Sequence, residues 1–161
     1  MFRKYSISDT LEVYKSEYFP MQKKTTFVFP HTATVGLGGN VGDVKRRFHH
    51  LLFSLAHDKR VKVIATSLIL KNPPFGYIKQ DDFFNSIMQI KTSMQAKEFL
   101  QYLLRIEKKY GRKRSFANAP RTLDLDLLFF DNLKVTTKTL TLPHPEWDKR
   151  ESVLIPLAGL K

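Results

Sequence analysis

Cysteine is absent from this 161-residue chain. That excludes disulfides and thiolate-held metals and fits a reducing compartment, with the cytoplasm as the expected location. No apolar run approaches the ~20 residues that cross a bilayer, so no membrane span or membrane partner is expected. Met1 to Tyr5 is basic, but no apolar stretch follows, which argues against a secretory leader; Asp9, Glu12 and Glu17 argue against an organelle-targeting peptide. Neither an internal repeat nor a low-complexity tract occurs. Acidic residues are scarce: 15 Asp and Glu stand against 27 Lys and Arg, giving a net charge of +12. Such a surface attracts polyanions, whether nucleic acid, an anionic membrane or a small molecule carrying several phosphates, although scattered charge can serve solubility alone.

What is present is organised as one domain preceded by an extension. Residues 1–30 show no clean period and form an N-terminal extension that either packs on the body or is mobile. From Thr32 the pattern sharpens. Thr32 to Leu37 reads as a short strand stopped by Gly36, Gly38 and Gly39, and the apolar spacing of Val41, Val44, Phe48, Leu51, Leu52 and Leu55 predicts a helix over 41–56. Val61 to Leu70 is rich in β-branched residues and reads as one long strand. Asn72-Pro73-Pro74-Phe75-Gly76 breaks it, because proline removes donors and fixes the backbone. Phe83 to Lys91 is the next strand, with Phe83, Asn85, Ile87 and Gln89 on one face. Thr92 and Gln95 suggest a capping box, Phe99, Leu103, Ile106 and Tyr110 a helix stripe, and Gly111 its stop. Thr122 to Phe130 is a strand, 133–142 a small hairpin, and the remainder irregular with a short helix. The order β-α-β-β-α-β is that of an α+β, ferredoxin-like sandwich, an antiparallel sheet with both helices on one face and the other face open for a site.

The chemistry concentrates around the last of these strands. Leu123, Leu125, Leu127 and Phe129 alternate with Asp124 and Asp126, so the leucines face the helices and the aspartates project from the open face, roughly 7 Å apart. At an effective dielectric of about 20 their repulsion is on the order of 2 kcal/mol. Strands are poor homes for aspartate, and a solvated face that resists aggregation is the plain reading. Paired carboxylates are also what hard Mg²⁺ accepts when phosphates supply its other ligands. Lys108, Lys109, Arg112, Lys113, Arg114 and Arg121 crowd the stretch just before the pair. Guanidinium binds phosphate through paired donors and keeps its charge. Phe83 and Asn85 share a strand face near the proline loop, an aromatic ring beside an amide that suits a flat, hydrogen-bonding heterocycle. The glycines of Gly36-Leu37-Gly38-Gly39-Asn40-Val41-Gly42 are mis-spaced for a dinucleotide fingerprint, no acid ends the strand near Leu70, and no Walker A lysine is present. They read instead as a tight strand-to-helix turn.

These blocks together resemble the 6-hydroxymethyl-7,8-dihydropterin pyrophosphokinase family of folate synthesis. The match runs from about Val35 to Leu157, within a domain of residues 31–161. It is most specific at Ala119-Pro120-Arg121-Thr122-Leu123-Asp124-Leu125-Asp126 and is supported by Gly38-Gly39-Asn40, Pro73-Pro74-Phe75-Gly76, Asp82-Phe83-Phe84-Asn85, Ile106-Glu107, Gly111-Arg112 and Pro143-His144. The resemblance implies transfer of pyrophosphate from ATP to the pterin hydroxymethyl oxygen, with release of AMP. It makes Asp124 and Asp126 ligands to two Mg²⁺ ions, with Arg112 and Arg121 neutralising phosphate charge. Glu107, Arg112, Arg121, His144 and Arg150 become ATP contacts. The pterin would lie against Phe83, bonded to Asn85 and to the backbone around Pro73, Pro74 and Phe75. No general base stands out. Asn72 replaces the family's usual Thr, Gly39 its Ser, and Ser152 a stacking Phe for which Trp147 is the candidate substitute. The loop 112–120 is one residue shorter and offers Phe116 or Asn118 in place of a tryptophan. The expected partners are ATP and pterin, with the chain a monomer and no nucleic acid involved. The competing reading is a ferredoxin-like RNA-binding module, which would place stacking aromatics rather than two carboxylates on the open face. A regulatory domain that kept the fold without activity is a third.

Overall fold

A computed structural model of the chain describes residues 1–24, 29–112, 116 and 118–160; Lys113 and Arg114 of the basic stretch therefore lie outside the described residues. The central strand is His31–Gly39 (β4), paired antiparallel on both sides. One neighbour is Phe83–Thr92 (β7) and the other Asp124–Phe130 (β8). Beyond β7 lie Val61–Thr66 (β5) and Ile69–Asn72 (β6), which share its far edge end to end. Val44–Ala56 (α1) and Ala96–Lys109 (α2) complete the expected β-α-β-β-α-β order. Their buried Phe48, Leu51, Leu55, Phe99 and Leu103 join Val35, Leu37, Met88 and Ile90 of the strands in one core. Glu151–Ala158 (α3) instead packs over β6 and β7, so part of the face left open by α1 and α2 is roofed by a third helix.

Several boundaries differ from the sequence reading. Val61 to Leu70 is two strands, because the chain kinks at Ser67. The Ser67 hydroxyl accepts the Ile87 amide at 2.8 Å and lies 3.0 Å from the Ser86 hydroxyl, so the break leaves no orphaned donor. Gly36, Gly38 and Gly39 belong to β4 and do not stop it. Residues 41–43 form the turn: Gly42 has φ +73°, Val41 is exposed, and Asp43 caps α1 by accepting the Arg46 amide at 3.2 Å. Thr92 is the last residue of β7 and not a helix cap; its hydroxyl donates to the Arg60 carbonyl and accepts from Met94. Gly111, at φ +80°, follows the end of α2 as expected. The predicted hairpin is Val135–Thr136 (β9) with Thr141–Leu142 (β10).

The described part of the extension packs on the body. Arg3–Ser6 (β1) pairs with Glu12–Lys15 (β2), β2 pairs with β6, and Met21–Gln22 (β3) pairs with the end of β5, so the segment runs along part of the β5–β6 edge. Val13 and Phe19 are buried, and the Phe19 ring stacks on His49 of α1 with centroids 5.5 Å apart.

Asp58, in the turn between α1 and β5, accepts from the Arg60 guanidinium at 2.9 and 3.1 Å. Hydrogen bonding to Arg60, and more weakly to Tyr102 of α2, holds its carboxyl down to about 2 against the cost of burial. A depressed carboxyl stabilises the fold above the unfolded value, and that stability is lost as pH falls through about 2. Solvent screening limits it to about 1 kcal/mol. Asp58→Asn is expected to lose that amount in urea unfolding at neutral pH, and the gap to wild type should close between about pH 4 and pH 2. An unchanged gap in acid would assign the loss to something other than the charge.

Candidate active site

The register across the three central strands builds the floor. Gly38 lies opposite Asn85 on one side and Asp124 on the other; Gly36 lies opposite Ile87 and Asp126. Two cross-strand rows therefore run amide–glycine–carboxylate and isoleucine–glycine–carboxylate on the face away from α1 and α2. A Cβ at Gly38 would stand 2.9 Å from Asn85 Oδ1, so a bare backbone here lets the amide reach over the central strand. The cavity on this floor is walled by Phe83, Arg121, Asn118 and, from the α3 side, Arg150 and Ser152.

The predicted alternation on β8 holds only to Leu127. Val35 pairs with Leu127, yet the adjacent Thr34 pairs with Phe129, so a bulge adds one residue and reverses the faces. Phe130 consequently enters the core against Phe99, and Phe129 turns outward against Trp147, with centroids 5.1 Å apart. Trp147 is thereby committed to Phe129 and does not line the cavity, which corrects its expected role as a stacking substitute. The rings that do line it are Phe83 and the exposed Phe75.

The carboxylates are far from equivalent. Arg121 Nη1 donates to Asp124 Oδ2 at 2.9 Å, and Arg112 Nη2 lies 3.6 Å from Asp124 Oδ1. Among the described residues Asp126 forms no such pair. Withdrawal from water, then the charges of Asp124 and Glu107, push its carboxyl up to about 7, against the pull of Arg121 and Arg150. Glu107 is buried, and its Oε2 accepts the Leu125 amide at 2.8 Å, which anchors β8 between the two aspartates. Its carboxylate is thus directed at the strand backbone. Among the described residues Arg112 Nε is buried without a hydrogen-bond partner, a donor available to an incoming anion.

The predicted ATP residues divide between two clefts. Arg121 and Arg150 line the floor cavity, whereas Glu107 and Arg112 line a second cleft with Leu104, Arg105 and Lys108 of α2. Asp124 joins them through its two arginines. His144 donates its amide to the Leu128 carbonyl at 2.9 Å, and its Nδ1 accepts from the Glu146 amide at 3.1 Å. Burial and the neighbouring Arg150 lower its tendency to protonate. On the heterocycle side, Phe83 lies under the Arg121 guanidinium at 5.4 Å and Phe75 under that of Arg150 at 5.2 Å. Pro73 is directed to a separate cleft against the β1–β2 turn, and Pro74 lines neither cavity.

Sequence reasoning gave no role to Asn40, although its Gly-Gly-Asn block was noticed. Asn40 is buried; its amide donates to Gln80 Oε1 at 2.8 Å and to the Asp81 carbonyl at 2.9 Å, and accepts from the Arg121 amide at 2.9 Å. Gln80 in turn donates to the Asn118 carbonyl at 2.8 Å. One side chain therefore ties three loops at the rim. A Cβ at Gly39 would fall 2.7 Å from the Thr122 carbonyl, which accounts for glycine where the resemblance has serine.

Comparison with known proteins agrees with this geometry. The profile of the 7,8-dihydro-6-hydroxymethylpterin-pyrophosphokinase family matches residues 34–161. A 2-amino-4-hydroxy-6-hydroxymethyldihydropteridine pyrophosphokinase of Campylobacter jejuni is 43% identical over 143 residues, 89% of this chain and 91% of that protein. The enzyme of the same name from Helicobacter pylori is 37% identical over 149 residues, 91% of each chain. That from Bacillus subtilis is 37% identical over 128 residues, 80% of this chain and 77% of the other. The chain belongs to the 7,8-dihydro-6-hydroxymethylpterin-pyrophosphokinase family.

Proposed function

We propose that this chain transfers the pyrophosphoryl group of ATP to the hydroxymethyl oxygen of 6-hydroxymethyl-7,8-dihydropterin, releasing AMP, as a step of folate biosynthesis. The observation that carries the reading is the pair of cross-strand rows. They set Asn85, with Phe83 walling the same cavity, across a glycine strand from a carboxylate pair fringed by arginines. Family membership supports the reaction, and the rows support this reading of where the substrates lie. The acting unit is taken to be a cytoplasmic monomer with small-molecule partners only.

The two carboxylates on the floor, Asp126 largely withdrawn from water, suit a divalent cation that neutralises them. Among the described residues no group of three or more His, Asp or Glu forms a closed metal cage. A pair of carboxylates is what Mg²⁺ shares with a polyphosphate, and Asp124 and Asp126 would hold the two ions of this reading. Bound there, magnesium would neutralise phosphate charge and acidify the attacking hydroxyl. The protein's own groups do the rest. Phe83 and Asn85 hold the ring flat on the floor, so that the hydroxymethyl arm reaches toward the aspartates. Arg121 and Arg112, already aimed at Asp124, present fixed positive charge where charge accumulates on the transferring group. Arg150 encloses the site from the α3 side.

Incubation with ATP, Mg²⁺ and the pterin alcohol is expected to release AMP in proportion to the pterin consumed. Folded protein that forms none would refute the assignment. Asp124→Asn and Asp126→Asn should each lower kcat on the order of 100-fold or more. Because Asp126 sits among like charges, its amide variant should melt no lower than wild type. Near-normal turnover in both variants would remove the aspartates from the mechanism. Gly38→Ala should keep the fold but raise the KM for pterin more than that for ATP, since the new methyl meets the Asn85 amide and not the arginines.

A further inference from the structure

Asn72 closes β6 and lines the cavity, and its amide is fixed from one end. Its Nδ2 donates to the Pro73 carbonyl at 3.0 Å. Only Oδ1 is then left to face Asn85, and it accepts Asn85 Nδ2 at 2.6 Å. The two bonds form a relay. A proline carbonyl, which can only accept, orients the first amide, and the first amide orients the second. Asn85 is left with Oδ1 over Gly38, where the missing side chain makes room for it, and that oxygen takes no hydrogen bond from the described residues. A free-standing asparagine could turn either end into the cavity; this one is held with Oδ1 over Gly38, one of its two Nδ2 hydrogens being taken by Asn72.

The strand that carries Asn72 is itself held. Lys71 and Leu70 pair with Glu12 and Val13 of the N-terminal hairpin, and Glu12 forms ion pairs with Lys4 at 3.0 Å and Lys71 at 3.5 Å. The position of Asn72 is thus set in part by residues outside the cavity, on a strand that β2 and β7 flank.

We propose that Asn72 is a positioning residue for pterin selection: through the Pro73–Asn72–Asn85 relay it fixes Asn85 as a hydrogen-bond acceptor, so that the site takes a ring presenting N–H donors at that edge. The inference rests on the pterin reading above, because a 2-amino-4-oxo heterocycle offers an amino group and a ring N–H side by side. A heterocycle presenting only acceptors there would meet Oδ1 with like polarity and leave it unsatisfied.

Two substitutions separate orientation from mere packing. Asn72→Asp keeps an acceptor toward Asn85 and should leave the KM for pterin within about twofold of wild type; Asn72→Leu keeps the volume but frees the Asn85 amide and should raise it roughly tenfold, the size of one hydrogen bond. The KM for ATP should move in neither. In the unliganded protein, the side-chain NH₂ signals of Asn85 should show slowed solvent exchange by NMR in wild type and in Asn72→Asp, and fast exchange in Asn72→Leu. The proposal is overturned if Asn72→Asp weakens pterin as much as Asn72→Leu, if the KM for ATP rises in parallel, or if the wild-type Asn85 amide exchanges as fast as an exposed one. Should wild type form no AMP at all, it is the proposed reaction that fails, and the exchange measurement still decides whether the relay exists.

Discussion

The site depends on the double pairing of the His31–Gly39 strand. Because β4 is bonded on both edges, its neighbours β7 and β8 are held at fixed separation and register, and groups more than eighty residues apart in sequence fall into common rows. A strand bonded on only one side would tolerate slippage, and a one-residue slip would turn both aspartates into the core and the leucines outward. The glycines of β4 complete the arrangement. They remove the side chains that would otherwise divide the floor into two smaller pockets.

Charge is the second constraint. Asp124, Asp126 and Glu107 converge on one end of β8, and the fold balances them unevenly: Asp124 has two arginines, Glu107 has a backbone amide, and Asp126 has neither among the described residues. A protein selected for stability alone would not keep such a cluster, since burying like charges opposes folding. The net charge of +12 serves the same end. A surface of that sign favours polyanions and includes the arginines nearest the carboxylates, while the rim is kept in place by uncharged amides, Asn40 and Gln80, whose bonds do not weaken with salt.

The N-terminal residues illustrate how an edge can be used. β5 and β6 would present unpaired donors and acceptors along one side of the sheet, and the β1–β2 hairpin with β3 covers part of them. The same cover holds the end of β6 from which Asn72 projects, so a device that protects the sheet also borders the cavity.

Much of this was legible from residue order alone. Strict alternation from Leu123 to Leu127 fixed which face of β8 carries the aspartates, because a strand has period two, and the heptad-like stripes of α1 and α2 fixed which side of the sheet they cover. The signature around Arg121 and Asp124 was enough to place the chain in its family. Three features were decided only by the folded chain. The bulge before Phe129 arises from pairing with Thr34 and Val35, and no local pattern announces it. The bend at Ser67 exists because a hydroxyl from that residue replaces a ladder bond of β7. The roles of Asn40, Gly38 and Asn72 depend on what stands opposite them across strands and loops. A side-chain amide carries no periodicity, so its meaning is set by partners that sequence spacing does not bring near.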